Sequence, residues 1–577
     1  MADTKHDVLD MLRDLALLTR LDEADPQSFR VRAYENAALA IAEKATDLGR
    51  LTKKELQQIE GIGKGTAEKI RELLDTGRVE KLEALRRKYP RGVLALLRIP
   101  GLGPKAVHRL RAELDVESVD DLRRALADHR VRDLPGFGAR SEQNLAQALA
   151  RLDAQGPATQ TPISVALPLA QRVVARMLEV PGALSASISG SLRRFCETVA
   201  EVDVLVASSR PEPVVEALVS MNMVAEVLVR GPASASVLTH RGTRVDLRIV
   251  EAKRFGAALL WSTGSQGHLA GLRQQALARG MTLDEHGLST ADGSRVVASE
   301  TEEQIHAGLG LPWIPPMLRE GAGEIEAAQN GTLPRPIGDV TGDFHVHTTV
   351  SGDGRSTLEE MVDAARARGY RVLAITDHAE GTLSGVGREE MIEARERIRA
   401  MQDRLGDSLR LLHGVELNIG PNGELDYDAE FRGSFDWCVA SVHDHFDLDR
   451  AAQTRRVVAA MNDPSVRLIG HLSARMIGAR PPIDLDLDLV FAAAEATGTA
   501  LEINGALPRL DLSVDSLRHA RGREVTFVLT SDAHHFSELD RVRFAAQNAE
   551  RAWVDPDRVA NAWPAERLVR WTERKES

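Results

Sequence analysis

The sequence predicts a multidomain chain with a helical N-terminal third, an α+β middle and a C-terminal barrel of alternating strands and helices. Three observations predict it. Within the first 150 residues, three helix-like stretches break at a Gly-x-Gly turn. Further on, Gly190-Ser191 precedes an apolar run in which Glu201 and Asp203 stand two apart. Beyond residue 340, six short apolar runs each end in a histidine or a carboxylate, the pattern of a parallel barrel that collects its strand ends on one face.

A chain of 577 residues is long enough for several domains with large cores. Its 43% hydrophobic and 27% charged residues are ordinary for a soluble globular protein. The sequence has no apolar run of about 18 residues, and its start, MADTKHDVLD, lacks a signal-peptide pattern. The expectation is a cytoplasmic protein with no membrane partner. Cys196 and Cys438 are the only cysteines, which excludes a disulfide framework and suits a reducing compartment. The net charge of −12 does not match a simple basic nucleic-acid binder. Residues 1–150 are nearly balanced, with 27 Lys/Arg against 25 Asp/Glu, so the acidic surplus falls in the remainder, 46 against 60. Phosphate contacts are local, and net charge alone does not decide whether DNA is a partner.

In the N-terminal third the three turns read LQQIEGIGKGTAEKI from Leu56, LLRIPGLGPKAVHRL from Leu96 and VRDLPGFGARSEQNL from Val131. Each runs from an apolar helix end into a glycine pair, Gly61/Gly63, Gly101/Gly103 or Gly136/Gly138, and then into a second helix. The glycines permit a tight turn and close backbone approach. The helix that follows presents free N–H groups suited to phosphate. Lys64, Lys69, Lys105 and Arg140 lie in or just beyond the turns, as added phosphate contacts or as solvated helix charges.

The middle begins after the linker 154–162. A strand ending at Ile188 leads into Gly190-Ser191 at a helix start, a phosphate-binding arrangement that Arg193 and Arg194 are placed to assist. Glu201 and Asp203, at i and i+2 on the apolar strand Val202–Val206, share one face. Asp246, in RVDLRIV, supplies a third carboxylate from another strand. Three carboxylates can hold two Mg ions for in-line phosphoryl transfer.

At the C-terminus, DFHVHTTVSGD from Asp343 sets His345 and His347 two apart, on one face of a strand. Asp377 and His378 close the run Val372–Ile375, and Glu416 follows Leu411–Val415. His443 follows Trp437–Val442, His471 follows Val466–Gly470, and Asp532 and His534 follow Val525–Leu529. With no cysteine among them, the set suits Zn, Mn or Fe. These nine donors exceed one tetrahedral shell and imply two or three divalent metals. Arg475 and Arg509, on loops beyond strand ends, are placed to clamp phosphate oxygens. His413, His445 and His535 are structural or supporting candidates.

These segments resemble bacterial family X DNA polymerases. The middle resembles the palm pattern G-S-x-R-R-G-x-E-x-x-G-D-x-D-x-L in Gly190, Ser191, Arg193, Arg194, Glu197, Asp203 and Leu205. It departs at Phe195 and Ala200, where the family has glycine, and at Glu201, where the family has the first metal-binding aspartate. Downstream, WSTGSQGHLAGLR from Trp261 resembles the segment contacting the incoming nucleotide. It keeps Gly264, Ser265 and Arg273, but Trp261 and Ser262 replace an aromatic pair and Leu269 an asparagine. The three N-terminal turns resemble helix-hairpin-helix motifs, which hold DNA backbones without reading sequence. His345, His347, Asp353, His378, Glu416, His443, His471, Asp532 and His534 match the polymerase-and-histidinol-phosphatase (PHP) pattern in full.

The resemblance implies six segments: a helical domain with the first hairpin over 1–88, fingers with two more over 89–155, and a nucleotidyltransferase palm over 156–252. A thumb follows over 253–320, a linker over 321–339, and a distorted seven-stranded PHP barrel over 340–577. It implies a DNA repair, gap-filling polymerase using deoxynucleoside triphosphates with Mg or Mn at Glu201, Asp203 and Asp246. Gly190, Ser191, Arg194, Gly264 and Arg273 would bind the nucleotide. The barrel would act as a 3′-5′ exonuclease on gapped or 3′-recessed DNA, and Lys69 matches a Schiff-base lysine of lyase-competent relatives. Glu201 leaves two readings of the palm, an active polymerase or a DNA-binding scaffold. A barrel hydrolysing a small phosphate monoester is the alternative from another enzyme class.

Overall fold

The computed structural model describes residues 3–23, 28–43, 48–59, 61–89, 91–96, 99, 102–134, 136–154, 160–382 and 384–573. The chain divides into two compact units. The first comprises residues 1–192, 198–263 and 276–308, and the second 193–197, 264–275 and 309–577.

The first unit opens with helices α1 (Asp3–Glu23) and α2 (Phe29–Glu43), followed by α3 (Lys64–Thr76), α4 (Pro104–Leu114) and α5 (Ala139–Ala154). Each of the last three starts immediately after a Gly-x-Gly turn. The turns are built alike: the N–H of Ile62, Leu102 and Phe137 bonds the carbonyl of Ile59, Ile99 and Leu134 at 3.0 Å in every case. One residue further, the carbonyls of Gly63, Gly103 and Gly138 accept from Ala67, Val107 and Glu142. Equal offsets at three sites show that the sequence repeat is a structural repeat. Gly61 and Gly136 lie at φ +86° and +83°, the left-handed region that excludes most side chains. Gly101 falls outside the described residues.

A five-stranded sheet follows, made of β1 (Ala183–Ile188), β2 (Glu201–Ser208), β3 (Val224–Arg230), β4 (Ser234–Thr239) and β5 (Arg244–Val250) in the order β1-β2-β5-β4-β3. Strands β2 and β5 are parallel and set Asp203 beside Asp246 and Glu201 beside Arg244. Val202 and Val204 are buried while Glu201 and Asp203 are half-buried, the period-2 alternation expected of the strand. Three short antiparallel strands, β6 (Met281–Asp284), β7 (Gly287–Thr290) and β8 (Val296–Ala298), complete this unit.

The second unit is built on seven parallel strands in sequential order: β9 (Gly342–Val346), β10 (Val372–Ile375), β11 (Arg410–Asn418), β12 (Trp437–Ser441), β13 (Val466–Ile469), β14 (Ala500–Asn504) and β15 (Phe527–Thr530). A parallel bridge between Val346 and Ala533, with the His347 N–H on the Ala533 carbonyl at 2.8 Å, brings the first edge to the last and nearly closes the barrel. Phe344, Ala374, Leu412, Val439, Leu468, Ala500 and Val528 form one buried apolar cluster. Along the alternation of each strand, Glu416 comes four residues after Leu412, Glu502 two after Ala500, and Thr530 two after Val528. The polar centre therefore stands above an apolar floor. The residue-by-residue reading finds six of these strands and passes over β14, whose apolar run is broken by Glu502. Among the described residues no helix is long and apolar enough to cross a membrane.

Candidate metal centre

All nine donors expected from the sequence converge at the strand ends of the barrel. Their centre is Glu416, fully buried on β11. Its Oε2 lies 3.3 Å from His345 Nε2, 3.5 Å from His347 Nε2 and 2.9 Å from His378 Nδ1. Its Oε1 lies 3.2 Å from His443 Nε2 and 3.1 Å from His471 Nε2. One carboxylate thus faces imidazoles with both oxygens and would serve as a donor to bound divalent ions. Asp532 Oδ1 stands 3.5 Å from His347 Nε2 and 3.9 Å from His345 Nε2, and Asp353 Oδ2 stands 3.2 Å from His378 and 3.5 Å from His534. Three groups have ligand atoms within 4.8 Å of one another: His347, Asp353, His378 and His534; His345, His347 and Asp532; His378, Glu416 and His443. The shared His347 and His378 join them into one centre. Asp353, His443 and His534 are half-exposed and mark its open side.

The donors fit divalent ions. Nε2 of His345 and of His347, Nδ1 of His378, Oε1 of Glu416 and Oδ1 of Asp353 are buried with no hydrogen-bond partner among the described residues. Such atoms are costly to bury unless something binds them. The charges agree. Burial disfavours a charged His345, but Glu416, Glu502 and Asp532 overcome it and hold the imidazole well above its ordinary value. Burial likewise opposes the charge on Glu416, yet His345, His443 and His378 keep it well below the carboxylate range. His347, buried and next to His534 and His378, is pushed down to about 3. His347 and Glu416 are thus already in the neutral and ionised forms that bind metal, whereas His345, held protonated by its carboxylate neighbours, would release a proton on binding one.

Sequence reasoning missed the residues that hold these ligands. Glu502 Oε1 lies 2.6 Å from His345 Nδ1 and accepts from Thr530 Oγ1 at 2.6 Å, while its Oε2 accepts from the His471 N–H and from Asn504 Nδ2. Both its oxygens are engaged, so it orients His345 rather than joining the donors. The alternation in Ala500–Asn504, with Glu502 and Asn504 two apart as in His345 and His347, is the signal that could have found it. Asp377 closes a strand as expected, but its carboxylate accepts from Thr348 and Ser351 and shapes the loop leading to Asp353. At Gly470 a side chain has no room: a Cβ would come within 2.3 Å of Ser441 Oγ and 3.3 Å of His345 Cε1.

The two arginines separate. Arg475 is spent on protein: Nε donates to the Arg509 carbonyl at 2.8 Å, Nη2 to the Leu510 carbonyl, and both Nη atoms to Glu197 at 2.9 and 2.8 Å. Arg509 instead faces Asp532, Nε to Oδ2 at 3.4 Å. His413 lies away from the donors, stacked on Phe435 at 4.7 Å and pushed down to about 3 by burial and then by Arg395 and Arg399. His535 caps a short helix at Ser537, and His445 pairs with Asp444.

In the first unit, Gly190 sits at φ +66°, and a Cβ there would fall 2.1 Å from Asp203 Oδ2. Only glycine lets the turn before Ser191 approach that carboxylate. Asp203 is pushed up to about 7 by burial, then by Glu201 and Asp246. Asp246 accepts from Ser236 Oγ at 2.6 Å and from Arg244 Nε at 2.9 Å, a partner the sequence reading overlooked. Among the described residues the compact donor groups all lie in the barrel, and Glu201, Asp203 and Asp246 form none. Of the expected nucleotide contacts, Gly190 and Ser191 belong to the first unit and Arg194, Gly264 and Arg273 to the second. Lys64 and Lys105 are exposed at the starts of α3 and α4, and Lys69 donates to the Gly65 carbonyl at 3.1 Å.

Comparison with known proteins agrees with this arrangement. A helix-hairpin-helix domain model matches residues 3–79, and a SAM-like helix-hairpin-helix tandem matches 93–151. The DNA polymerase beta thumb matches 258–320 and the PHP domain 343–506. The chain is 33% identical over 562 residues to the DNA polymerase/3′-5′ exonuclease PolX of Bacillus subtilis (strain 168), covering 97% of each chain. Proteins described as probable phosphatases match a smaller part. One from Vibrio cholerae serotype O1 (strain M66-2) is 27% identical over 227 residues, 38% of this chain and 87% of its own. Another from Shewanella sp. (strain ANA-3) is 27% identical over 241 residues, 40% of this chain and 91% of its own.

Proposed function

Because the chain belongs to the family of the bacterial DNA polymerase/3′-5′ exonuclease PolX, we propose that it is a DNA repair enzyme whose barrel removes nucleotides from DNA ends and whose palm fills gaps. The observation that carries the first activity is Glu416, a buried carboxylate faced by five imidazoles on its two oxygens. The nine donors would hold two or three divalent ions, Mn, Zn or Fe. Bound there, such ions would supply a water of lowered pKa and neutralise charge on the scissile phosphate. The residues do the rest. Glu502 holds His345 in one tautomer and orientation. Arg509, beside Asp532, presents a guanidinium to the phosphate oxygens of a 3′ end. Half-exposed Asp353, His443 and His534 leave that side open for the strand to enter.

The substrate follows from the attached elements. Three turns with the same hydrogen-bond offsets, with Lys64 and Lys105 exposed at helix starts, are suited to DNA backbone. In the palm, Glu201, Asp203 and Asp246 would hold Mg or Mn, with Gly190 and Ser191 toward the phosphates of a deoxynucleoside triphosphate. Lys69 is the candidate for lyase chemistry at the first hairpin.

Gapped, 5′-phosphorylated DNA with Mn or Mg, with and without nucleotides, tests the assignment. Release of nucleotides is expected to be abolished by His345→Ala and kept by Asp203→Ala, and extension to show the opposite dependence. Survival of both activities in both variants would overturn it. The probable-phosphatase relatives make a small phosphate monoester the competing substrate, and faster release from a phosphorylated alcohol than from a 3′-recessed end would favour that reading.

A further inference from the structure

Residues Arg193–Glu197, part of the palm pattern, lie in the second unit and are fixed there through Phe195, Arg194 and Glu197. Phe195 stacks on Phe544 of α6 (Val542–Arg551), with ring centroids 5.9 Å apart and planes at 20°. Arg194 Nε pairs with Glu320 at 3.3 Å, and Arg551 pairs with the same oxygen at 3.0 Å. Glu197 receives both Nη atoms of Arg475 at 2.9 and 2.8 Å.

Phe195 is informative because it breaks a local rule. It sits at φ +62°, a conformation natural to the glycine of the family pattern, and is nevertheless a buried aromatic. A side chain persists in that region only where its surroundings fix it, and here the fixing partner is Phe544. The segment is thus shaped by its packing within the second unit at the cost of a strained backbone.

The bidentate pair leads straight to the metal centre. Arg475, 9% exposed at its side chain, also holds the carbonyls of Arg509 and Leu510. Arg509 in turn reaches the donor Asp532, and its Nη1 is buried with no hydrogen-bond partner among the described residues. Four residues therefore form one path, Glu197, Arg475, Arg509 and Asp532, with Arg475 holding the Arg509 backbone carbonyl. We propose that Glu197 is a positioning residue for the hydrolytic centre of the barrel, acting through Arg475 to keep the Arg509 loop in register with Asp532. A residue expected to serve only the palm serves the nuclease. This rests on the reading of the barrel as a metal-dependent nuclease.

The test measures kcat and KM for Mn-dependent release from a 3′-recessed duplex by the full chain. The variants are Glu197→Gln, Glu197→Asp, Arg475→Lys, Arg509→Lys and the double variant Glu197→Gln with Arg509→Lys. Small displacements of a catalytic loop act on turnover, so Glu197→Gln should lower kcat about tenfold with KM within about twofold. Glu197→Asp keeps the charge and should recover at least about half of the wild-type kcat. Residues on one path are not additive, so adding Glu197→Gln to Arg509→Lys should cost less than about twofold more. A wild-type melting curve excludes unfolding as the cause. Arg475→Lys, which keeps the charge but not the paired carbonyl contacts, should lose about tenfold by the same route and carries the test if Glu197→Gln does not fold. A kcat of Glu197→Gln within about twofold of wild type, or losses that multiply in the double variant, would overturn the proposal. A wild-type chain with no metal-dependent release would instead overturn the nuclease reading beneath it.

Discussion

Nδ1 of His345 and Oε1 of Glu502 lie 2.6 Å apart, and both side chains are fully buried. The bond keeps a proton on Nδ1 of His345 and leaves Nε2 facing Glu416. Partners of this kind govern ligand basicity and orientation, and losing one typically costs ~10–100-fold in metal affinity. Glu502→Gln keeps the shape but removes the charge that His345, Thr530 and the His471 N–H all share. It is predicted to weaken Mn binding ~10–100-fold while the nine donors remain, measured by calorimetric titration of the metal-stripped chain. Unchanged affinity would show that Glu502 has only a packing role.

A second prediction concerns pH. Asp203 titrates near 7 in the folded chain because burial, then Glu201 and Asp246, oppose its charge, against an ordinary value of 3.8. Between these values the folded chain holds a proton that the unfolded chain has released. Stability from this group is therefore complete below about pH 4 and is lost as the pH rises through 7. The shift corresponds to an upper limit of ~4 kcal/mol, reduced by the solvent that reaches a half-buried carboxylate. Asp203→Asn removes the penalty. In the absence of metal, melting of the first unit should rise in the variant at pH 8 and match wild type at pH 4. Equal melting at both values would refute the shift.

Lys64 and Lys105 test the hairpins. Each is exposed at the start of a helix entered with the same hydrogen-bond offsets, and a phosphate contact releases counterions when it forms. Lys64→Ala and Lys105→Ala should each weaken binding to any DNA sequence and reduce the salt slope of the logarithm of the binding constant by ~0.9. Fluorescence anisotropy on two unrelated duplexes between low and moderate salt measures both. A slope equal to wild type would make them solvated helix charges.

Eight of the nine candidate donors were legible because they lie in or follow short apolar runs, and a parallel barrel converts recurrence along the chain into convergence in space; Asp353, in a loop, came only from the family pattern. Val372–Ile375 is a strand with the bounds read from the sequence. Strand β14 was not legible, because Glu502 interrupts its apolar run after two residues. Strand β11 runs on to Asn418, so Glu416 lies within it and not beyond its end. What no spacing reveals is pairing at long separation. Arg475 and Glu197 are 278 residues apart, so an arginine that looked free to bind phosphate is saturated by a residue of another motif. Phe195 was visible only as a departure from a glycine position, and its ring partner, Phe544, supplies the reason.

The palm gives the last prediction. The parallel register of β2 and β5 sets Asp203 against Asp246 but Glu201 against Arg244, whose Nε is engaged with Asp246 at 2.9 Å. At position 201 the family pattern has aspartate, one methylene shorter. In phosphoryl transfer a displacement of ~1 Å can cost about a hundredfold, so Glu201 should slow extension through turnover, not through nucleotide binding. Glu201→Asp is predicted to raise the rate of gap filling with Mg at least ~10-fold, with the KM for nucleotide within ~2-fold. Nuclease release by the barrel, built from other residues, should not change in the same preparation and serves as the internal reference. An extension rate unmoved by the substitution would shift the limit to Trp261 and Ser262, and no extension by either protein would make the palm a scaffold that holds DNA for the barrel.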